Sequence, residues 1–172
     1  MQDYGLVSII TPTWACANFI SETIKSIQAQ TYQNWELLIQ DDCSIDNTDK
    51  MVESYAANDL RIKYECNPKN SGAAITRNNA LRRAKGRWIA FLEHQLKFMV
   101  ENNYAFTYHE YTEMSEDGKK LGVYVSGKKR VGEFDMYACC WPGCLTVMYD
   151  AEKIGLVQFK DVRKNNDTAM WL

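Results

Sequence analysis

The turn after the first apolar run, Thr11-Pro12-Thr13-Trp14-Ala15-Cys16, contains no glycine. A dinucleotide-binding turn needs glycines so that backbone can approach a pyrophosphate closely, so that site is excluded. An enzyme that synthesises sugar nucleotides would carry a glycine-rich loop at the same place, and none is there. No glycine-rich loop ending in Lys-Ser or Lys-Thr occurs, which excludes a P-loop. No Gly-x-Ser-x-Gly occurs, which excludes a serine-hydrolase elbow. Histidine is scarce: only His94 and His109 are present. The six cysteines, Cys16, Cys43, Cys66, Cys139, Cys140 and Cys144, match no zinc spacing and read as reduced thiols of a cytosolic protein. His109, next to Glu110, reads as a structural residue before a base. No apolar run reaches membrane-spanning length. Met1-Gln2-Asp3-Tyr4 lacks the charged and apolar regions of a signal peptide. Charge of one sign is also lacking: 20 Lys and Arg face 22 Asp and Glu, without a basic block, which disfavours nucleic acid as a partner.

What is present is enough apolar sequence, 46% of 172 residues, for a single domain with a real core. Leu6 to Thr11 is β-branched and predicts a strand, ended by Pro12, which has no N–H for a ladder. Phe19 to Gln30 predicts a helix with Ile20, Ile24 and Ile27 on one face. Leu37 to Gln40 predicts a second strand. Asp46 or Asn47 can cap a helix running to about Asn58, with Met51, Val52 and Tyr55 inward. Ile62 to Glu65 predicts a third strand, and Asn67 to Gly72 a loop by composition. Ala73 to Lys85 is helical, with Gly86 suited to its stop. Trp88 to Leu92 predicts a fourth strand. Beyond it, Gln95 to Asn102 looks helical, and Ala105 to Tyr111 and Gly122 to Val125 extended, joined by a polar turn around Glu116-Asp117-Gly118. Leu145 to Tyr149 predicts a strand, Asp150 to Gly155 a short helix, and Asp167 to Leu172 the start of another. The alternation of strand and helix argues a mostly parallel central sheet with helices on both faces.

The apolar run Leu37-Leu38-Ile39 stops at two adjacent carboxylates, Asp41 and Asp42. In parallel sheets ligands bind beyond the carboxyl ends of the strands. Two acids there suggest a ligand-reading site or a metal site. A polar strand end, with Asp46 capping the next helix, accounts for the same residues.

The chain then carries a specific ordered set. Pro12-Thr13-Trp14 ends the first strand. Asp41-Asp42-Cys43-Ser44 ends the second, with Asp46 two residues on. Asn70-Ser71-Gly72 follows, then Arg77-Asn78 on a helix, then Gly86-Arg87-Trp88-Ile89-Ala90-Phe91-Leu92. In this order the series resembles the family 2 glycosyltransferases of the GT-A fold, over nearly the whole chain. The resemblance implies one catalytic domain, residues 1–172. Residues 1–92 would be its nucleotide-binding half. Residues 95–172 would be an acceptor-side half, cut short at the C-terminus. It implies transfer of a sugar from a nucleotide-sugar donor, a UDP-sugar, to a glycan or lipid-linked acceptor with inversion.

By the same resemblance, Asp42 accepts a hydrogen bond from a ring N–H of the base. Pro12 and Thr13 shape the pocket floor, and Arg77 lies near the diphosphate, where its fixed charge is useful. Trp14 can stack on a base or pack on ribose. The plainer alternatives are ordinary packing for Trp14 and a solvated helix face for Arg77, which shares its helix with Arg82, Arg83 and Lys85. The family base lies in an acidic pair followed by Trp. Asn166-Asp167-Thr168-Ala169-Met170-Trp171 is similar to that motif, with Asp167 at the base position and Asn166 in place of the first acid; a helix N-cap is the alternative role for Asp167. The aromatic stretches Tyr104 to Tyr111 and Tyr137 to Trp141 read as packing before sugar stacking, and Gly143 as a turn near the acceptor.

Three departures stand out. The metal-binding Asp-x-Asp expected after Leu92 is absent: Glu93-His94-Gln95 follows, so the metal ligands are unknown. Either the protein has lost its metal site, which would make it an impaired nucleotide- or glycan-binding module, or connecting residues belong between Leu92 and Glu93 or His94. The second is favoured, because a buried strand does not readily turn straight into a helix. In that case Mg²⁺ or Mn²⁺ is expected. Ala15 replaces a usual Asn, and Ile45 a usual Thr or Ser. The expected setting is the cytoplasm, with peripheral association at the inner face of the membrane compatible with a lipid-linked acceptor.

Overall fold

The computed structural model describes residues 3–91, 103, 106–108, 111–114, 120–125 and 147–158. In chain order these form β1 (Val7–Thr13), α1 (Ile20–Gln28), β2 (Trp35–Asp41), α2 (Thr48–Ala56), β3 (Ile62–Cys66), α3 (Ala73–Arg83), β4 (Trp88–Ala90), β5 (Phe106–Tyr108), β6 (Tyr111–Met114), β7 (Lys120–Val125), β8 (Val147–Asp150) and α4 (Ala151–Ile154). Among the described residues, six strands make one sheet in the order β3-β2-β1-β4-β8-β5, and β6 and β7 make a separate antiparallel pair. The first four are parallel, and β8 runs antiparallel to both β4 and β5. The expected helix from Gln95, the turn at Glu116-Asp117-Gly118 and the start of a helix at Asp167 fall outside the described residues.

Strand alternation divides the core in two. Val7, Ile9, Trp35, Leu37 and Ile39 face one side, where Ile20, Ile24 and Ile27 of α1 and Val52 of α2 cover them. Ile10, Leu38 and Ile89 face the other, under Ala74, Ala80 and Leu81 of α3. Helices therefore cover both faces, as the apolar spacing predicts. Full burial of each isoleucine of α1 contributes about 1.5–3 kcal/mol. Met51 and Tyr55 of α2 are only partly buried against the same core.

Two local expectations are corrected. Pro12 does not end β1; it pairs with Gln40, and the strand runs on to Thr13. Leu6 O accepts from Trp88 N, and Thr13 O accepts from Asp42 N. Even-numbered residues of β1 thus turn their backbone groups toward β4 and odd-numbered ones toward β2. The last β1–β4 pair is Ile9 with Ala90, so the N–H that Pro12 lacks had no strand to meet. Gly86 is not the terminal residue of α3, which ends at Arg83 with Ala84 as its cap. It lies against β1 instead: a Cβ there would come within 2.6 Å of Leu6 O and 2.7 Å of Ser8 N.

Candidate active site

The ends of β1 and β2 are flush, because Thr13 pairs with Asp41. The next residues, Trp14 and Asp42, are therefore neighbours at the carboxyl edge of the sheet, where ligands of parallel sheets bind. A cleft of about 470 Å³ opens there, lined by Pro12, Thr13, Trp14, Asp42 and Arg77. These five come from β1, the end of β2 and α3, and the fold brings all of them together. The volume suits a small organic ligand. Asn70, Gly72, Ala73 and Thr76 complete the lining. Sequence reasoning marked Asn70 to Gly72 only as a motif and did not single out Ala73 or Thr76. Trp14 is 63% exposed, so ordinary core packing does not account for it.

The two adjacent acids do different work. Asp41 is buried and faces β1 and the turn: its Oδ1 accepts from Thr13 Oγ1 at 2.9 Å and Ser44 Oγ at 2.7 Å, and its Oδ2 from Ser44 N at 2.7 Å. It secures the strand end. Asp42, also buried, faces the loop before α3. Its Oδ1 accepts from Ser71 N at 2.7 Å and Asn67 Nδ2 at 2.9 Å, and its Oδ2 from Gly72 N at 2.8 Å. Burial pushes this carboxyl up, but the bonds from Ser71, Asn67 and Gly72 outweigh it and hold Asp42 below the usual carboxylate range. A carboxylate has about four lone-pair positions, two on each oxygen. Three are filled here, so one acceptor position remains, on Oδ2. Gly72 takes φ +85°, a conformation that favours glycine, as the chain turns its N–H onto Asp42.

The loops beside the cleft explain why no glycine is needed after β1. Ala15, Cys16 and Ala17 present three successive N–H groups, the arrangement that elsewhere cradles phosphate. Here Ser44 Oγ takes Ala15 N at 2.8 Å, Thr48 Oγ1 takes Cys16 N at 3.1 Å, and Asp46 Oδ2 takes Ala17 N at 3.1 Å. Ser44, Asp46 and Thr48 thus lock two loops together and occupy the N–H groups that would otherwise face a phosphate at α1. Asn47 occupies the N-cap position of α2 without a side-chain cap bond, and Asp46, one residue before it, accepts from Thr48 N at 3.0 Å through Oδ1. The Thr48 hydroxyl, first, and Ala17 N–H hold its carboxyl below the usual range.

Cys16, Cys43 and Cys66 are free thiols, and burial pushes the Cys16 thiol up. No three His, Cys, Asp or Glu side chains among the described residues gather to hold a metal ion. Asp167, Asn166, Glu93, His94, His109, Gly143 and the Tyr137 to Trp141 stretch lie outside the described residues.

Comparison with known proteins agrees with this architecture. The family model described as glycosyl transferase family 2 matches residues 8–101. The putative teichuronic acid biosynthesis glycosyltransferase TuaG of Bacillus subtilis is 38% identical, over 97% of this chain and 71% of its own length. WfgD of Escherichia coli, a UDP-Glc:alpha-D-GlcNAc-diphosphoundecaprenol beta-1,3-glucosyltransferase, is 39% identical over 183 residues, spanning all of this chain and 70% of its own. That stretch exceeds the 172 residues here, so WfgD carries residues with no counterpart in this chain. S. aureus TarS 1-349 in complex with UDP superposes with a TM-score of 0.76 at 24% identity, over 95% of this chain and 53% of that one. The chain thus spans about half the length of that solved structure. With the sheet order, the family match and the two relatives in agreement, this chain belongs to glycosyl transferase family 2 and is a glycosyltransferase with the GT-A fold.

Proposed function

We propose that the cleft binds the nucleoside diphosphate of a UDP-sugar, and that the sugar passes with inversion to a hydroxyl of a lipid-linked or glycan acceptor. The observation that carries this reading is the single open acceptor position on the ionised Asp42 carboxylate, beside exposed Trp14 in one cleft. Uracil offers a ring N–H to such an acceptor, whereas cytosine presents a lone pair at the same ring position. Trp14 supplies a face for the base or ribose, and Arg77 a fixed positive charge toward the diphosphate. The names of two similar proteins, a UDP-Glc-dependent glucosyltransferase and a UDP complex of TarS, support the same donor class.

In the reaction, the acceptor oxygen bonds to the anomeric carbon from the face opposite the leaving group. The bond from that carbon to the diphosphate oxygen breaks, and its electron pair leaves with the nucleoside diphosphate. The acceptor's proton goes to a carboxylate base, a role assigned here to Asp167. A divalent cation, Mg²⁺ or Mn²⁺, would be held by an Asp-x-Asp after Leu92 if connecting residues belong there, and would neutralise charge on the departing diphosphate; no ligand for it is assigned among the described residues. A lipid-linked acceptor places the work at a membrane surface, at its cytoplasmic face. No helix among the described residues is long and apolar enough to cross a membrane.

Calorimetric titration of the chain with UDP and CDP tests the reading. UDP should bind more tightly by about tenfold or more, the worth of one charge-assisted hydrogen bond. Equal binding of the two nucleotides would sink it.

A further inference from the structure

Behind the cleft lies a side chain that cannot touch the ligand and yet determines what Asp42 presents to it. Asn67 is buried, and its amide makes four bonds, as many as it has positions. Its Nδ2 donates to Asp42 Oδ1 and to Thr76 Oγ1, each at 2.9 Å. Its Oδ1 accepts from Gln40 Nε2 at 3.0 Å and from Asn79 Nδ2 at 2.8 Å. Two of these neighbours, Thr76 and Asn79, fix which way the amide faces. The Thr76 hydroxyl spends its proton on Gly72 O at 2.8 Å, so toward Asn67 it can only accept. Asn79 Oδ1 accepts from Arg82 Nη1 at 2.6 Å, which leaves its NH₂ end for Asn67. The NH₂ end of Asn67 must then face Asp42.

We propose that Asn67 is a positioning residue for base selection: it keeps Asp42 an ionised acceptor with one open position, so the cleft takes a base with a ring N–H and rejects one with a ring lone pair there. The inference rests on Asp42 reading the base, as proposed above. Ser71 N and Asn67 Nδ2 fill both positions on Oδ1. Removing Asn67 frees one of them and takes a hydrogen bond from the charged form, so the carboxyl binds a proton more readily. A protonated Asp42 can donate to cytosine, and discrimination falls.

The readout is the ratio of CDP to UDP dissociation constants, measured on the chain with each nucleotide. UDP and CDP share ribose and diphosphate, so a general loosening of the cleft weakens both alike and leaves the ratio unchanged. Asn67→Leu should lower the ratio about tenfold. Asn79→Ala, which removes one orienting donor at a half-buried site, should lower it about threefold, and it decides the matter if Asn67→Leu does not fold. Asp42→Asn separates the two levels of the argument. If that variant keeps the wild-type preference, the base reading itself fails. If Asp42→Asn abolishes the preference while Asn79→Ala and a folded Asn67→Leu keep it, the role of Asn67 is overturned and the reading of Asp42 stands.

Discussion

Arg87 grips Asp150 across the joint between the parallel strands and the antiparallel one: Nη2 donates to Oδ2 at 2.7 Å, and Nε to each carboxylate oxygen at 3.2 Å. Asp150 has no exposed surface, while the Arg87 side chain is 37% exposed. Asp150 Oδ1 also accepts from Glu152 N at 3.0 Å, starting α4. The pair holds β8 against β4. Removing only the arginine leaves a buried carboxylate without its charge partner. Arg87→Met should destabilise the chain by about 2 kcal/mol, reduced from the fully buried case because Arg87 is partly solvated. The double variant Arg87→Met, Asp150→Asn should recover part of that loss in urea denaturation. No recovery would mean that the charge left behind is not the cause.

Acid should unfold the protein through the same group and through Asp42. Burial pushes the Asp150 carboxyl up, but the Arg87 hydrogen bond and charge outweigh it and hold it below the usual range. Burial pushes Asp42 up as well, but hydrogen bonds to it, from Ser71, Asn67 and Gly72 among others, outweigh it and hold it below the usual range. A carboxyl that binds protons more weakly when folded takes them up on unfolding. Its stabilisation is fully present above the ordinary carboxylate range and is lost as pH falls through the lowered folded value. Stability measured by denaturant against pH should therefore fall steeply only below that range. Asp150→Asn should flatten the acid slope, and an unchanged slope in that variant would remove Asp150 from the explanation.

Ala15 adopts φ +48°, a left-handed conformation that costs a non-glycine residue roughly 1–2 kcal/mol. Asn tolerates it better, which gives a physical reason for the Asn usual at this position in the family. Ala15→Asn should raise the melting temperature by a few degrees, as expected for a gain of about 0.5–1 kcal/mol. A lower melting temperature would show that the new side chain collides with the Ser44 loop.

The first half of the fold was legible because its signals are local. Isoleucines at helical spacing and the apolar run of β2 depend on nothing distant, and the five cleft residues follow from a motif order that reflects strand ends. The rest depends on contacts across the chain. Pro12 looked like a strand terminator because its neighbours could not show that β4 ends short of it. Gly86 looked like a helix stop because its approach to Ser8, 78 residues away, is invisible locally. Asn67 looked like loop composition before Pro68. Only the packing of α3 against the end of β2 turns it into the partner of Asp42. The antiparallel insertion of β8 between β4 and β5 has no sequence mark, since a short buried strand reads the same in either direction.

The assignment of Asp167 separates chemistry from binding, which makes it testable on its own. The proposed nucleotide contacts gather between Pro12 and Arg77, at the ends of β1 and β2 and on α3, where these residues line the cleft. The base must instead lie beside the acceptor hydroxyl, and the proposal gives that role to Asp167 on its resemblance to the family motif. Asp167→Asn preserves size and polarity and removes only the ability to take a proton. Loss of a general base costs about 10²–10⁴-fold in rate. Transfer from a UDP-sugar should fall by that factor, while UDP affinity, read by calorimetry, should stay within about twofold of wild type, a difference of less than about 0.5 kcal/mol. Asp167→Glu, with the carboxylate displaced by one methylene, should retain a small fraction of the rate, because proton transfer needs the oxygen within hydrogen-bond reach. Full transfer by Asp167→Asn would remove it as the base, and a matching loss of UDP affinity would place it in the nucleotide pocket.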